Sequence, residues 1–400
     1  MTQYTLIDAH LDLAMNLVYY DRDIRLPIEQ INSAEQHMTD LPFRGRATVS
    51  LPELRQSRLA VCIATLIARS GPRHVRPVGY HRGEIDFSCR DAAQASAFAQ
   101  LAYYRMLERI GEIRLIYSTE DLDRHWVEWR AGTTRRLGVV LSMEGADPIL
   151  SPDELWMWYD EGVRAIGPTH YGFGRYGAGT HVEGPLTAMG HELLRQMESI
   201  GIVLDVTHLS DESMSDAFVS YHGPVWASHH NCRALVPGDR QLADSQILEL
   251  LKRQAVIGVA FDAIMLHPGW QLGTTKPLEA GVTLDSVADQ IDHYCQLAGN
   301  CSCVGIGTDL DGGYGTEQTP IDLQRYSDLH RLADRLDQRG YAPSDVEAIF
   351  SGNWLRKLRE VLPTSKTSLR TEARNVQSKV HTTYPLSSKS PMAGPSIAGG

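Results

Sequence analysis

The chain has 400 residues, 42% of them apolar, and a formal net charge of -11 at neutral pH. That length fits two or three average domains or one large barrel with insertions, and the acidic balance argues against nucleic acid or an anionic membrane as the main partner. No basic-then-apolar signal region opens the chain, and no apolar run has the 18 or so residues of a membrane-spanning helix.

In chain order, short β-rich apolar runs fall at Thr5–His10, Leu59–Leu66, Leu137–Glu144, Val163–His170, Ile202–His208, Val225–His229, Val256–Phe261 and Cys303–Asp309. Helical periodicity separates most of them. Residues 92–110 place Phe98, Leu101, Ala102 and Met106 on one face, with Gly111 as a stop. Pro185–Ile200, Ser210–Ser220, Asp244–Gln254, Leu284–Ala298 and Leu323–Arg339 read the same way. Eight strands alternating with helices predict an α/β fold, a (β/α)8 barrel of the TIM type with a long insertion after the first strand. An open doubly wound sheet is the alternative. The barrel domain is expected over residues 1–362. From residue 363 the chain turns rich in Ser, Thr, Pro and Gly, which predicts a disordered tail over 363–400.

In such a barrel, chemistry collects at the C-terminal ends of the strands. The first strand closes on His10-Leu11-Asp12, a spacing that turns both side chains the same way. Later strands close on Glu144, His170, His208, the pair His229-His230, and the pair Asp309 and Asp311. A single strand-end histidine is more often a satisfied structural group; the recurrence is the signal. Imidazoles and carboxylates without a thiolate suit Zn2+, or Mn2+, Co2+ or Fe2+, and so many donors are too many for one tetrahedral ion. Two ions need a bridging carboxylate, which Glu144 could supply. No lysine precedes Lys252, so a carbamylated lysine cannot bridge at the first six strands.

The segments "IDAHLDLAMN", "SMEGADPI", "GPTH", "GPLTAMGHELLRQMESIGIVLDVTHLSDES", "SHHNCRAL", "VGIGTDLDGG" and "FSGNWLRKLREV" carry a resemblance. Together they resemble the membrane dipeptidase (renal dipeptidase) family of binuclear zinc peptidases, within the amidohydrolase-like barrels, over residues 4–362. The resemblance implies hydrolysis of dipeptides, including those with a D-residue at the C-terminal position, by a hydroxide held between two divalent ions, zinc foremost. It makes His10 and Asp12 ligands of one ion, His208 and His229 ligands of the other, and Glu144 the bridge. It makes Asp309 the proton-handling residue, His170 the group that polarises the scissile carbonyl, and Arg240 the partner of the substrate carboxylate. The chain departs from the family in "HYGFGRYGAGTH", residues 170–181, expected to line the pocket with Gly, Phe, Tyr and Arg175. That departure leaves the substrate open. Another small amide, or a non-catalytic metal-binding relative, are the alternatives, and a homodimer is allowed but not required.

Asp311 could exchange roles with Asp309. His230 is expected to face away from the pocket, and His181 and His191 to lie on the surface. Asp8 and Asp205 are either partners of the ligand histidines or strand-end charges. The literal GxGxxG at residues 172–177 lacks the helix that nucleotide binding needs, since "AGTHVEGPL" follows it. The six cysteines include no CxxC and read as reduced thiols of a cytoplasmic protein.

Overall fold

The computed structural model describes residues 4–70 and 85–365; from residue 366 on, the expected tail lies outside them. The frame is eight strands: β1 (Leu6–Leu11), β2 (Leu59–Ile67), β3 (Leu137–Glu144), β4 (Val163–Gly167), β5 (Val203–Asp205), β6 (Val225–Trp226), β7 (Ile257–Val259) and β8 (Val304–Ile306). All pairs are parallel, in the order β7-β8-β1-β2-β3-β4-β5-β6. Ala227, just past β6, bridges Ile257 of β7. The sheet therefore curls into a near-closed (β/α)8 barrel rather than an open doubly wound sheet. A further short strand, Ile113–Leu115, pairs with the start of β3 and has no counterpart among the predicted elements.

Period-two alternation divides the strand residues between two cores. Ile7, Ala9, Val61, Ile63, Val140, Ala165 and Val203 pack with Trp226 and Trp354, whereas Leu6, Cys62, Ala64, Leu66, Val139 and Leu141 pack with helix residues such as Tyr104 and Leu107. The helix Asn353–Val361 closes the inner core where the strands begin. Asn353 Nδ2 donates to the carbonyls of Cys301 (2.7 Å) and Val304 (2.8 Å), and Trp354 Nε1 to that of Ile306 (2.9 Å). Gly305 leaves room for the indole, because a Cβ there would come within 2.3 Å of Trp354 Nε1.

Several strands stop short of their apolar runs. β4 ends at Gly167, β5 at Asp205, β6 at Trp226 and β8 at Ile306, so His170, His208, His229 and Asp309 stand in loops just beyond. The backbone supplies one reason: His208 and Asp309 have φ of +69° and +60°, which no strand contains. Of the predicted helices, Leu284–Ala298 forms as expected, while Leu323–Arg339 becomes a 3-10 turn, Tyr326–His330, followed by the helix Arg331–Gln338. The insertion after β1 holds three short helices, Leu13–Val18, Ile28–Glu35 and Leu51–Gln56. Asp311 fastens it to the barrel, its carboxylate accepting from Thr48 N (2.9 Å), Thr48 Oγ1 (2.7 Å) and Val49 N (3.0 Å). That carboxylate is thereby committed, so Asp311 cannot stand in for Asp309.

Candidate metal centre

β1 carries one extra residue against β2, for Asp8 faces Cys62 and Leu11 faces Ala64. A bulge of this kind re-aims side chains, and His10 lies within it. Asp8 holds the spot by accepting from His10 N (3.1 Å), Thr308 N (2.9 Å), Thr308 Oγ1 (2.6 Å) and Tyr326 OH (2.7 Å). Asp205 does the same between β5 and β6, accepting from Thr207 N and Ser228 N, both at 3.1 Å. Both carboxylates thus position the backbone beside a histidine rather than sit as free strand-end charges.

The side chains converge on Glu144, the last residue of β3. Its Oε2 lies 3.4 Å from His10 Nε2, and its Oε1 lies 3.2 Å from His208 Nε2, 3.5 Å from His229 Nε2 and 3.7 Å from His170 Nε2. His10 Nε2 is also 3.8 Å from Asp12 Oδ2 and 3.7 Å from Asp309 Oδ1. Three groups here could each hold a metal ion: His10 with Glu144 and His229, Glu144 with His170 and His208, and His10 with Asp12 and Asp309.

Hydroxyls turn the rings. Ser228 Oγ lies 3.0 Å from His229 Nδ1 and 3.4 Å from His10 Nδ1, and donates its own proton to Thr207 Oγ1 at 3.3 Å. With that proton committed, Ser228 Oγ accepts from both rings, so each carries a proton on Nδ1 and presents its Nε2 toward Glu144. Thr180 Oγ1 stands 3.0 Å from His208 Nδ1 and holds that ring, and Thr65 Oγ1 donates to Asp12 Oδ1. His170 is set oppositely. Its Nδ1 faces Arg69 Nη1 at 3.4 Å, and because a guanidinium only donates, the ring proton must sit on Nε2. Asp86 holds Arg69 in a two-point pair at 2.7 and 2.6 Å.

Burial would lower the His10 pKa, but the Glu144 and Asp12 carboxylates hold it well above the ordinary value. Burial lifts Asp309 well above the usual carboxylate range; His10 opposes this, and Asp12 and Glu144 add to it. Glu144 is likewise raised by burial. Burial, reinforced by Arg240, keeps His208, His229 and His170 well below the ordinary imidazole value. Those rings are neutral at pH 7, the form that ligates a metal. Meanwhile His10 Nε2 is buried and makes no hydrogen bond, although three carboxylates surround it. A divalent cation in place of the His10 proton fits both facts, giving the carboxylates their countercharge and the buried nitrogen a partner.

Beside the cluster lies a cavity of about 140 Å³, lined also by Met15, Tyr20, Tyr171, Arg240, Asp262 and Met265. Arg240 is buried, spends one nitrogen on the His229 carbonyl (3.2 Å), and leaves Nη1 without a partner. His230 lines none of this cavity, and His181 and His191 lie at the surface, 64% and 45% exposed. The expectation for residues 170–181 needs correction. Tyr171 lines the cavity, but Phe173 is 64% exposed and Arg175 borders a separate hollow with Ser70 and Cys89. Bridges between Tyr171 and Thr180 and between Phe173 and Ala178 fold the segment into a tight loop whose tip leaves the site. No helix follows the glycines, as expected.

Arg69, Thr65, Thr180, Ser228 and Asp262 escape the sequence reading. Ser228 directly precedes His229, and Asp262 directly follows the run Val256–Phe261, so the strand-end criterion reaches both one residue further on. The other three carry no local signal.

A (β/α)8 barrel with buried imidazoles and carboxylates gathered at its C-terminal strand ends has the architecture of a metal-dependent barrel hydrolase. The sequence pattern of the membrane dipeptidases (peptidase family M19) matches residues 1–372, and the chain belongs to that family of metallo-dipeptidases. It is 28% identical over 273 residues to an uncharacterized protein in the pqqA 5' region of Klebsiella pneumoniae, covering 66% of this chain and 94% of that one. It is 29% identical to the dipeptidase tcpJ of Claviceps purpurea, over 70% of this chain and 64% of that relative's length. Its fold matches a metallopeptidase from Rhodobacter sphaeroides, solved with a phosphinate mimic of L-Ala-D-Ala, with a TM-score of 0.67 at 20% identity over 90% of this chain and all of that one.

Proposed function

We propose that this protein hydrolyses dipeptides, including those with a D-residue at the C-terminal position, using two zinc ions that share Glu144. In this reading His10 and Asp12 would hold one ion, His208 and His229 the other, and Glu144 would serve both. The observation that carries it is the division of Glu144, whose two oxygens face different imidazoles at 3.4 and 3.2 Å. Two divalent ions held there would supply Lewis acidity and lower the pKa of a water to make it a nucleophile at neutral pH.

The protein's own groups do the rest. Arg240 offers its unpartnered Nη1 to the substrate's α-carboxylate, a charge-assisted contact. His170, fixed by Arg69 with its proton on Nε2, aims that proton at the carbonyl oxygen, where charge develops only in the transition state. Asp309 takes a proton from the attacking water and passes it to the leaving amine. The cavity's small size favours dipeptides over longer chains. The Rhodobacter complex supports a D-residue at the C-terminal position. Six free cysteines support a reducing, cytoplasmic compartment.

Hydrolysis of L-Xaa-L-Xaa and L-Xaa-D-Xaa dipeptides by zinc-loaded protein tests this. Turnover should vanish on chelation and return with zinc; no turnover on any member would contradict it.

A further inference from the structure

Asp262 is a charged group in the cavity that takes no part in the hydrolysis. Its Oδ1 accepts from Ile264 N (3.0 Å) and Gln318 Nε2 (2.8 Å), and among the described residues no donor meets Oδ2. The side chain is 9% exposed and lines the same cavity as Arg240. Arg240 is the cation that acts on it most, yet the two form no ion pair, and Arg240 Nη1 stays free. One small cavity thus holds an open cation and an open carboxylate. Burial pushes the Asp262 pKa up to about 6, as expected for a carboxylate awaiting a countercharge.

We propose that Asp262 is a specificity residue that receives a cationic side chain on the C-terminal residue of the dipeptide, while Arg240 holds that residue's α-carboxylate. This rests on the dipeptidase reading. A carboxylate so largely buried is costly unless a cation pairs with it, and among the described residues none forms an ion pair with Asp262, whose free oxygen opens to the cavity. Arg240 marks the C-terminal side of the scissile bond, so a cation beside it belongs to the C-terminal residue.

The test is a kcat/KM panel of Ala-Lys, Ala-Arg, Ala-Met and Lys-Ala, with either configuration at the C-terminal residue, for zinc-loaded wild type and Asp262→Asn. The variant retains an Oδ1 acceptor. Wild type should favour C-terminal Lys or Arg over Met by at least about tenfold, the weight of one charge-assisted hydrogen bond. Asp262→Asn should abolish that ratio through KM. A wild-type ratio near one overturns the proposal even if the variant fails to fold. So does a ratio that survives in Asp262→Asn, or a preference for Lys-Ala. A uniform fall in KM across the panel would make Asp262 a mere counterweight to Arg240 and also overturns it. No turnover of any dipeptide removes the dipeptidase reading and this proposal together; turnover without a basic preference removes this proposal alone.

Discussion

Ser228 never faces the cavity, yet two of the converging imidazoles depend on it. Its oxygen faces the Nδ1 of both His10 and His229, and removing it leaves both rings free to turn. Ser228→Ala should weaken zinc binding by roughly 10–100-fold, measured by competition with a chromogenic chelator. Unchanged affinity would mean that packing alone holds the rings. Arg69 acts on His170 in a comparable way. Arg69→Met removes the donor that fixes the His170 tautomer, so kcat should fall by up to roughly 100-fold while zinc content stays constant. Loss of zinc in that variant would instead place Arg69 among the residues that hold the metal.

Among the elements, two helical segments are clamped to the barrel base by histidines. His125, in the helix Thr119–Arg130, contacts the Ala60 carbonyl at 2.9 Å, and His330, ending the turn Tyr326–His330, contacts the Ser57 carbonyl at 2.7 Å. Burial pushes both pKa values below the ordinary value. The unfolded chain therefore takes up these protons first, near pH 6.5, and the folded state loses stability as pH falls through that point. Thermal melts should drop on acidification below about pH 6.5, and His125→Gln with His330→Gln should flatten the slope. A slope identical to wild type would assign it to other groups. On β8, two strands from β2, Gly305→Ala forces a methyl against Trp354, an overpacking expected to cost about 1–3 kcal/mol, readable in urea unfolding.

At the scale of the whole molecule, a barrel was legible because its strands are apolar runs separated by helical periodicity. The ends of those strands were not. His208 and Asp309 adopt left-handed backbone to reach the centre, a tertiary demand that no local pattern reveals. The strand Ile113–Leu115 and the insertion helices are too short for periodicity to register. The histidines and carboxylates that meet at Glu144 were visible as strand-end residues. Thr65, Thr180 and Arg69, which orient them, come from segments distant in sequence and stayed hidden.

The central claim is that two ions share Glu144 and together drive dipeptide hydrolysis. Zinc titration of metal-free protein, with bound metal counted and L-Ala-D-Ala hydrolysis followed in parallel, tests it most directly. Activity should rise until two ions are bound per chain, and Glu144→Gln should lose both the second ion and the activity. Full activity at one ion per chain, or activity retained in Glu144→Gln with both ions bound, would contradict it.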